Sequence, residues 1–320
     1  MIITATHDRL LACRNLNYSY FYRSLSTAKF MKPSFIFYKA FAWCVSRLPF
    51  RCLYILADIL YFIFRHLTVY RQDIIRKNLE RSFPEKSSGE LKKISGAFYH
   101  NLADVAMEII KLQHISPEVM KDRFVFENHE LLLESFRNNK SSIVAIGHCG
   151  NWEWMGTALG LVTPQKGYGI VKPLTSQDFN AYMQRLRHRL NPDSTIPFKS
   201  AFSTMVRNRD HLSFNVIAGD QTPTRDEANY WITFLNQDTP FFQGIEKISR
   251  SLDMDVFFLD IRRTSRGRYC GHFSLITDRA KETADNEITV KYVRMLEEAI
   301  RNNPSNWLWS HRRWKHSRPA

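Results

Sequence analysis

Beyond residue 140 the sequence alternates short apolar runs with longer segments of helical periodicity, and this pattern restricts the fold more than any other feature of the chain. Parallel strands need a crossover long enough to hold a helix, so such alternation is the mark of βαβ units. Strands are expected over 142–147, 168–171, 211–217 and 255–262, with 269–276 adding an antiparallel neighbour. Helices are expected over 152–161, 177–190, 244–252 and 284–302. The predicted fold class is α/β, with a mixed, mostly parallel sheet flanked by helices. At 320 residues, 44% hydrophobic and with only 12 Gly and 12 Pro, the chain suits one sizeable core carrying an N-terminal extension, and neither a disordered nor a fibrous architecture.

Upstream of the alternation the chain is helical. Residues 71–83 form a charged helix that Pro84 ends, 85–89 make a loop, and 90–113 place Leu91, Ile94, Phe98, Leu102, Val105, Ile109 and Leu112 on one stripe that packs on a core. Glu108 lies one position off that stripe, as a partly buried, paired carboxylate or a functional one. Between Phe35 and Tyr70 apolar residues are dense, but Lys39, Arg47, Arg51, Asp58 and Arg65 interrupt them, so no run reaches the roughly 18 uncharged residues of a clean span. Two helices broken at Leu48-Pro49 are expected to lie in a membrane interface, with a buried helical pair as the alternative. Residues 1–30 show no sustained period. The expected organisation is an unstructured extension over 1–30, with Met31 as the native start, membrane-associated helices over 31–70 and a catalytic domain over 71–320.

The chain carries 45 Lys+Arg against 31 Asp+Glu, a net charge of +14, which calls for an acidic partner: nucleic acid, an anionic bilayer or an acidic carrier protein. No helix-turn-helix, zinc-finger or single-strand aromatic platform supports the first, so nucleic acid is not an expected partner. Cys13, Cys44, Cys52, Cys149 and Cys270 show neither a Cys-x-x-Cys pair nor zinc-ligand spacing, and read as free thiols in a reducing compartment; no metal is expected.

The chemistry is expected where the first core strand ends, in Gly147-His148-Cys149-Gly150-Asn151-Trp152-Glu153. The flanking glycines permit a sharp turn and close approach, Asn151 is a good N-cap, and Glu153 falls in the first turn of the next helix. From there its carboxylate can fold back to His148 and hold one tautomer, leaving the other ring nitrogen to take a proton. No serine adjoins the histidine and no Gly-x-Ser-x-Gly elbow occurs, so the attacking hydroxyl is expected to belong to the substrate. Cys149 reads as a small buried filler.

These residues resemble the His-x4-Asp/Glu signature of glycerolipid acyltransferases, in the His-x-Gly-Asn-Trp-Glu form of the lipid A biosynthesis late acyltransferases. The resemblance continues through Arg76-Lys77-Asn78-Leu79 with Phe83-Pro84-Glu85, then Glu108, Arg187, Asp220-Gln221 and the ending Asn306-Trp307-Leu308-Trp309-Ser310-His311-Arg312-Arg313-Trp314-Lys315, and covers roughly residues 35–316. Phe234-Leu235-Asn236 and Asp253-Met254-Asp255-Val256 depart from the family's Phe-Phe-Gly and Gly-Ala-Pro-Val.

The resemblance implies a glycerol-3-phosphate acyltransferase-like fold and transfer of an acyl chain from an acyl carrier protein thioester to a hydroxyl of a lipid A precursor, at the cytoplasmic face of the inner membrane. No cofactor is implied, since a thioester is already activated; another membrane lipid, a lysophospholipid or aminolipid, is the alternative acceptor. His148 would act as general base and Glu153 would stabilise the imidazolium, with backbone N–H groups near Gly150 and Asn151 holding the oxyanion. Asp220, with Gln221, would bind the acceptor or support the dyad, the plain alternative for an aspartate after a strand being a turn cap. Lys172 and Arg187 would bind phosphate or lie as solvated surface. Arg312, Arg313 and Lys315 are expected to face headgroups or phosphate, and Trp307 and Trp309 to pack in the core.

Overall fold

The computed structural model describes residues 33–68 and 70–318. Met31 and the extension 1–30 lie outside the described residues. The chain divides into two compact units, Met1–Phe41 and Ala42–Ala320, and helix α1 (Pro33–Arg47) runs across the division.

In the second unit α2 (Phe50–Phe62) ends in a π-helical turn, Ile63–Leu67, and is followed by α3 (Gln72–Ser82) and α4 (Ser88–Lys111). α3 stops just before Phe83-Pro84, where proline prevents continuation. A capping box opens α4, Ser87 and Glu90 each satisfying the other's backbone N–H. After α5 (Pro117–Arg123) strands and helices alternate: β1 (Phe124–Glu127), α6 (Glu130–Arg137), β2 (Ser142–Ile146), α7 (Trp152–Val162), β3 (Lys166–Val171), α8 (Gln177–His188), β4 (Thr195–Pro197), α9 (Ala201–Arg207) and β5 (Ser213–Ala218). A hairpin of β6 (Tyr230–Phe234) and β7 (Gln237–Phe241), α10 (Gly244–Leu252), the long strands β8 (Asp255–Ser265) and β9 (Arg268–Thr277), and α11 (Glu287–Asn302) complete the chain.

Seven strands form one sheet in the order β1-β9-β8-β2-β5-β3-β4. Every neighbouring pair is parallel except β8 and β9, which are antiparallel. The expected α/β class and its mostly parallel sheet are therefore correct, and each strand and helix expected beyond residue 140 is present. Short elements were missed: α5, β1, α6, β4, α9 and the β6/β7 hairpin, whose three to eight residues are too few to show a period.

β2 is buried along its whole length, as a strand covered by helices on both faces must be. The expected stripe of α4 packs inward, with Phe98, Val105 and Leu112 buried. A second face of α4 is buried and polar: Asp104, Glu108 and Lys111, spaced by four and three residues, lie one above another. Asp104 receives Arg263 at 2.5 Å and Arg266 at 2.7 Å, and Lys111 donates to the carbonyls of Ser46 and Leu48 at 2.9 and 2.6 Å. Tyr54 of α2 donates to Glu108 at 2.9 Å. α2 thus buries Leu53 and Ala57 and is tied by hydrogen bonds on that side, while Ile55, Ile59 and Phe62 are exposed on the other. Among the described residues no single helix is long and apolar enough to cross a membrane.

Candidate active site

β2 and β5 are adjacent and parallel, with Ile146 opposite Ala218. Continuing that register two residues past each strand brings His148 opposite Asp220. The pair is hydrogen-bonded twice: Asp220 Oδ1 lies 2.6 Å from His148 Nδ1, and its Oδ2 accepts the His148 backbone N–H at 2.8 Å. Trp307 Nε1–H supplies a third bond to Oδ2 at 2.7 Å. Burial alone would raise the Asp220 pKa, but the His148 charge and these hydrogen bonds outweigh it and hold the carboxyl well below the usual range. For His148 burial pulls the pKa down, and the Asp220 charge and hydrogen bond, with Glu153 behind them, leave it raised.

An ionised Asp220 fixes the Nδ1–H tautomer, so Nε2 carries the lone pair. The side-chain amide of Gln221 stands 3.2 Å from Nε2. Nε2 faces a cavity of about 890 Å³ whose walls include His148, Trp152, Glu153, Lys172, Arg187 and Gln221. The imidazole keeps 17% of its surface exposed, enough to meet a substrate in that cavity.

Glu153 does not reach the histidine as expected. It occupies the first turn of α7, below its cap Asn151, but its carboxylate is held in a fork by Arg187 of α8, with Nη2 at 2.6 Å and Nε at 2.9 Å. A planar guanidinium satisfies both carboxylate oxygens at once, whereas Nδ1 of the imidazole is already taken by Asp220. Arg187 correspondingly is not a free phosphate ligand; burial lowers its pKa, the Glu153 bond and charge raise it, and the net direction is up. Lys172 is exposed at the cavity wall with no ion-pair partner among the described residues.

Of the expected oxyanion donors, the N–H of Gly150 is already engaged. Gly150 has φ +53° and room for nothing larger than hydrogen, since a Cβ would stand 2.9 Å from Ile261. Its N–H is committed to the Asn306 carbonyl at 3.0 Å. The Asn151 side chain is fully buried, capping Trp154 N–H at 2.9 Å and donating to Glu108 at 2.8 Å. Neither residue borders the large cavity. Gly147 makes room for Leu296 of α11, rather than for substrate.

The C-terminal segment straps this turn from behind. Leu308 N–H donates to the His148 carbonyl at 3.1 Å, Cys149 bridges Trp307, and Thr222 bonds His311 and the carbonyls of Arg312 and Arg313. Asn78 donates to the carbonyls of Trp309 and His311, at 2.9 and 3.0 Å, and Arg71 to that of Ser310 at 2.7 Å. Trp307 and Trp309 are buried as expected. Arg313 is not a headgroup ligand: it is fully buried over the Phe241 ring, 4.5 Å from its centroid, and burial pushes its pKa down to about 10. Arg312 and Lys315 are exposed. Among the described residues no three His, Cys, Asp or Glu side chains are grouped to hold a metal ion.

The family model of the bacterial lipid A biosynthesis acyltransferases matches residues 25–316. The chain belongs to that family. Two similar relatives are the lipid A biosynthesis palmitoleoyltransferase of Escherichia coli (strain K12) and the lipid A biosynthesis acyltransferase of Shigella flexneri. Each is 23% identical over 280 residues, covering 87% of this chain and 89% of the relative. The acyltransferase motifs at 76–85, 147–153, 220–221 and 306–315, far apart in sequence, meet around one turn: Asn78 holds the strap, the strap holds Asp220 and the turn, and Asp220 holds His148.

Glu108 is the acyltransferase's second buried carboxylate at this turn, fully buried and accepting from Tyr54, Asn151 and Tyr269. Burial raises its pKa and the three neutral donors offset only part of that. Its role in the structure is to hold the N-cap of α7. Residues missed in sequence as site components are Trp307, whose indole N–H was overlooked in favour of its packing bulk, and Asn78. An indole or amide near a motif predicts a hydrogen bond but not which of many acceptors it finds.

Proposed function

We propose that this acyltransferase moves a fatty acyl chain from an acyl carrier protein thioester to a hydroxyl of a lipid A precursor, with His148 as general base and Asp220 as its orienting partner. The observation that carries the reading is the 2.6 Å bond from Asp220 to His148 Nδ1, which leaves Nε2 turned to a cavity of about 890 Å³. His148 Nε2 takes the proton of the acceptor hydroxyl as its oxygen attacks the thioester carbonyl carbon. Asp220 stabilises the imidazolium that forms. Collapse of the tetrahedral intermediate breaks the C–S bond, and the imidazolium returns the proton to the departing thiolate. With Gly150 N–H committed elsewhere, the Gln221 amide, 3.2 Å from His148 Nε2, is assigned to the thioester oxygen. No covalent acyl-enzyme is required: Cys149 is buried and its pKa is pushed well up by that burial.

Charge and exposed apolar side chains support the assignment of partners. The net charge of +14 suits an acidic carrier protein and a phosphorylated acceptor, and Lys172 at the cavity wall is the cation assigned to one of them. The exposed Ile55, Ile59 and Phe62 of α2 are assigned to the cytoplasmic face of the inner membrane, lying in its interface.

Purified protein, acyl carrier thioester and lipid acceptor test the reading together. Release of free thiol should require the acceptor's hydroxyl, and the product should gain the mass of one acyl group. Thiol release with no acylated product in the presence of lipid A precursor overturns the assignment. A mass gain on a lysophospholipid or aminolipid alone replaces the acceptor and keeps the chemistry.

A further inference from the structure

The cavity follows one face of α7, past Glu153, Gly156, Gly160 and Thr163, and the whole of β3 beneath it. Ten residues of helical rise make that path about 15 Å long. Five of the chain's 12 glycines line it, although glycine weakens both helix and strand interiors, so their presence here needs a local reason.

For three of them packing supplies the reason. A Cβ on Gly160 would run into the Asn191 side chain, on Gly167 into the Phe214 ring, and on Gly219 it would stand 3.0 Å from Tyr292. The other two differ. At Gly169 the nearest atom would be the Ser194 carbonyl oxygen at 3.8 Å, and at Gly156, exposed in the middle of α7, nothing lies within 4 Å. No neighbour and no backbone angle requires glycine at 156, so a side chain there is sterically free and would project into the cavity.

Resting on the acyl-transfer reading, we propose that Gly156 is the position that sets acyl-chain length, its missing side chain leaving the passage through which the donor's hydrocarbon runs along α7. It lies three residues past Glu153, about 4.5 Å along the axis. Gly156 precedes Gly160 and Thr163 along that face of α7, so a chain long enough to run the length of the cavity from His148 passes it, whereas a short chain ends nearer the histidine. A side chain at 156 should therefore spare short donors and exclude long ones.

The test compares the full-length protein with Gly156→Ala and Gly156→Leu on six-, twelve- and sixteen-carbon acyl carrier thioesters, with binding of the matching free fatty acids followed through tryptophan fluorescence. Gly156→Leu should lower kcat/KM on the two long donors by at least about tenfold relative to the six-carbon donor. Gly156→Ala should give a smaller shift in the same direction while raising the melting midpoint, because alanine is the better helix residue. A merely structural glycine would lower stability and activity together. An unchanged length profile, an equal loss at every length, or a shift that tracks the acceptor's chains overturns the proposal. If neither wild type nor variants transfer any acyl group, yet Gly156→Leu still shortens the preferred fatty acid in the binding assay, the reaction assignment fails and the passage stands.

Discussion

Two fully buried carboxylates, Asp220 and Glu108, flank the turn from Gly147 to Asn151. Asp220 holds its entrance through His148; Glu108 holds its exit through Asn151. Each accepts three side-chain or backbone hydrogen bonds, yet their pKa values move in opposite directions. The difference lies in the partners. Asp220 faces an imidazole that can become cationic, whereas Glu108 faces two phenols and an amide and has a like charge, Asp104, nearby. Burial penalises an ion only until something of opposite sign is buried with it. One carboxylate is therefore suited to stabilise a transient positive charge, and the other to fix a helix cap.

Removing the imidazole tests the functional half of that contrast most severely. His148→Ala should lower acyl transfer by roughly 10²–10⁴-fold while the melting curve stays cooperative, as measured by thiol release and calorimetry. A variant retaining full activity would place the base elsewhere.

Asp220→Asn comes next, with a loss of about 10²-fold or more, because an amide can hold the ring but not the imidazolium charge. It also carries a pH signature. The His148 pKa is raised, so its contribution to stability is full below the ordinary 6.5 and fades as pH rises through the folded value. The Asp220 pKa is depressed, so its contribution is full above the ordinary 3.8 and fades as pH falls through the folded value. The pair stabilises most between those limits, whereas catalysis needs neutral His148 and should rise on the alkaline side of 6.5. Asp220→Asn should move that rising limb of the rate profile to lower pH; an unmoved limb would remove Asp220 from the ring's control.

The same contrast separates what is local in the sequence from what only the fold brings together. His148 at a strand-to-helix turn was legible, because Gly147, Gly150 and the cap Asn151 are local signals. Its partner was not. Glu153 is five residues away in sequence and Asp220 is 72 away, and choosing between them requires knowing that β2 and β5 are neighbours. Periodicity identifies strands but carries no strand order. The same limit hid the strap: Arg313, read as surface charge beside Arg312, is buried over Phe241, and nothing in two adjacent arginines says which one turns inward. Conversely α10, with its amphipathic pattern over 244–252, was found to the residue because every signal for it is local.

Glu153→Gln gives a smaller effect than either change at the dyad. The amide keeps one bond to Arg187 and releases part of the guanidinium's hold, so a loss of about tenfold is expected, in KM more than kcat. If Glu153→Gln instead matched Asp220→Asn in kcat and in pH limb, the expectation from sequence would regain its ground over the geometry of the resting site.

Glu108→Gln addresses the other carboxylate. The amide nitrogen cannot accept from Asn151, Tyr269 or Tyr54, so stability should fall by about 1–3 kcal/mol in denaturant titration. Its raised pKa means that the native carboxylate costs stability increasingly as pH rises above the ordinary 4.5, so the variant's deficit should shrink toward alkaline pH. Activity per folded molecule should change by only a few-fold, and the rate profile's limb should not move. A shifted limb would join the two carboxylates into one electrostatic unit.

The smallest effect is expected at the residue between them. Cys149 stands in the turn with its thiol buried and its pKa pushed well up by that burial, the Asp220 and Asp260 charges adding to it. A thiol so placed stays protonated across the working range, and the protonated form is a poor nucleophile. Serine keeps the size but buries a hydroxyl that needs a partner, so Cys149→Ser should cost stability by up to about 1–3 kcal/mol and leave kcat within a few-fold. Mass spectrometry of the protein quenched during turnover should find no acyl group on it. An acylated Cys149, with activity lost in Cys149→Ser and kept in His148→Ala, would make the thiol the nucleophile and Asp220 a structural carboxylate no different in kind from Glu108.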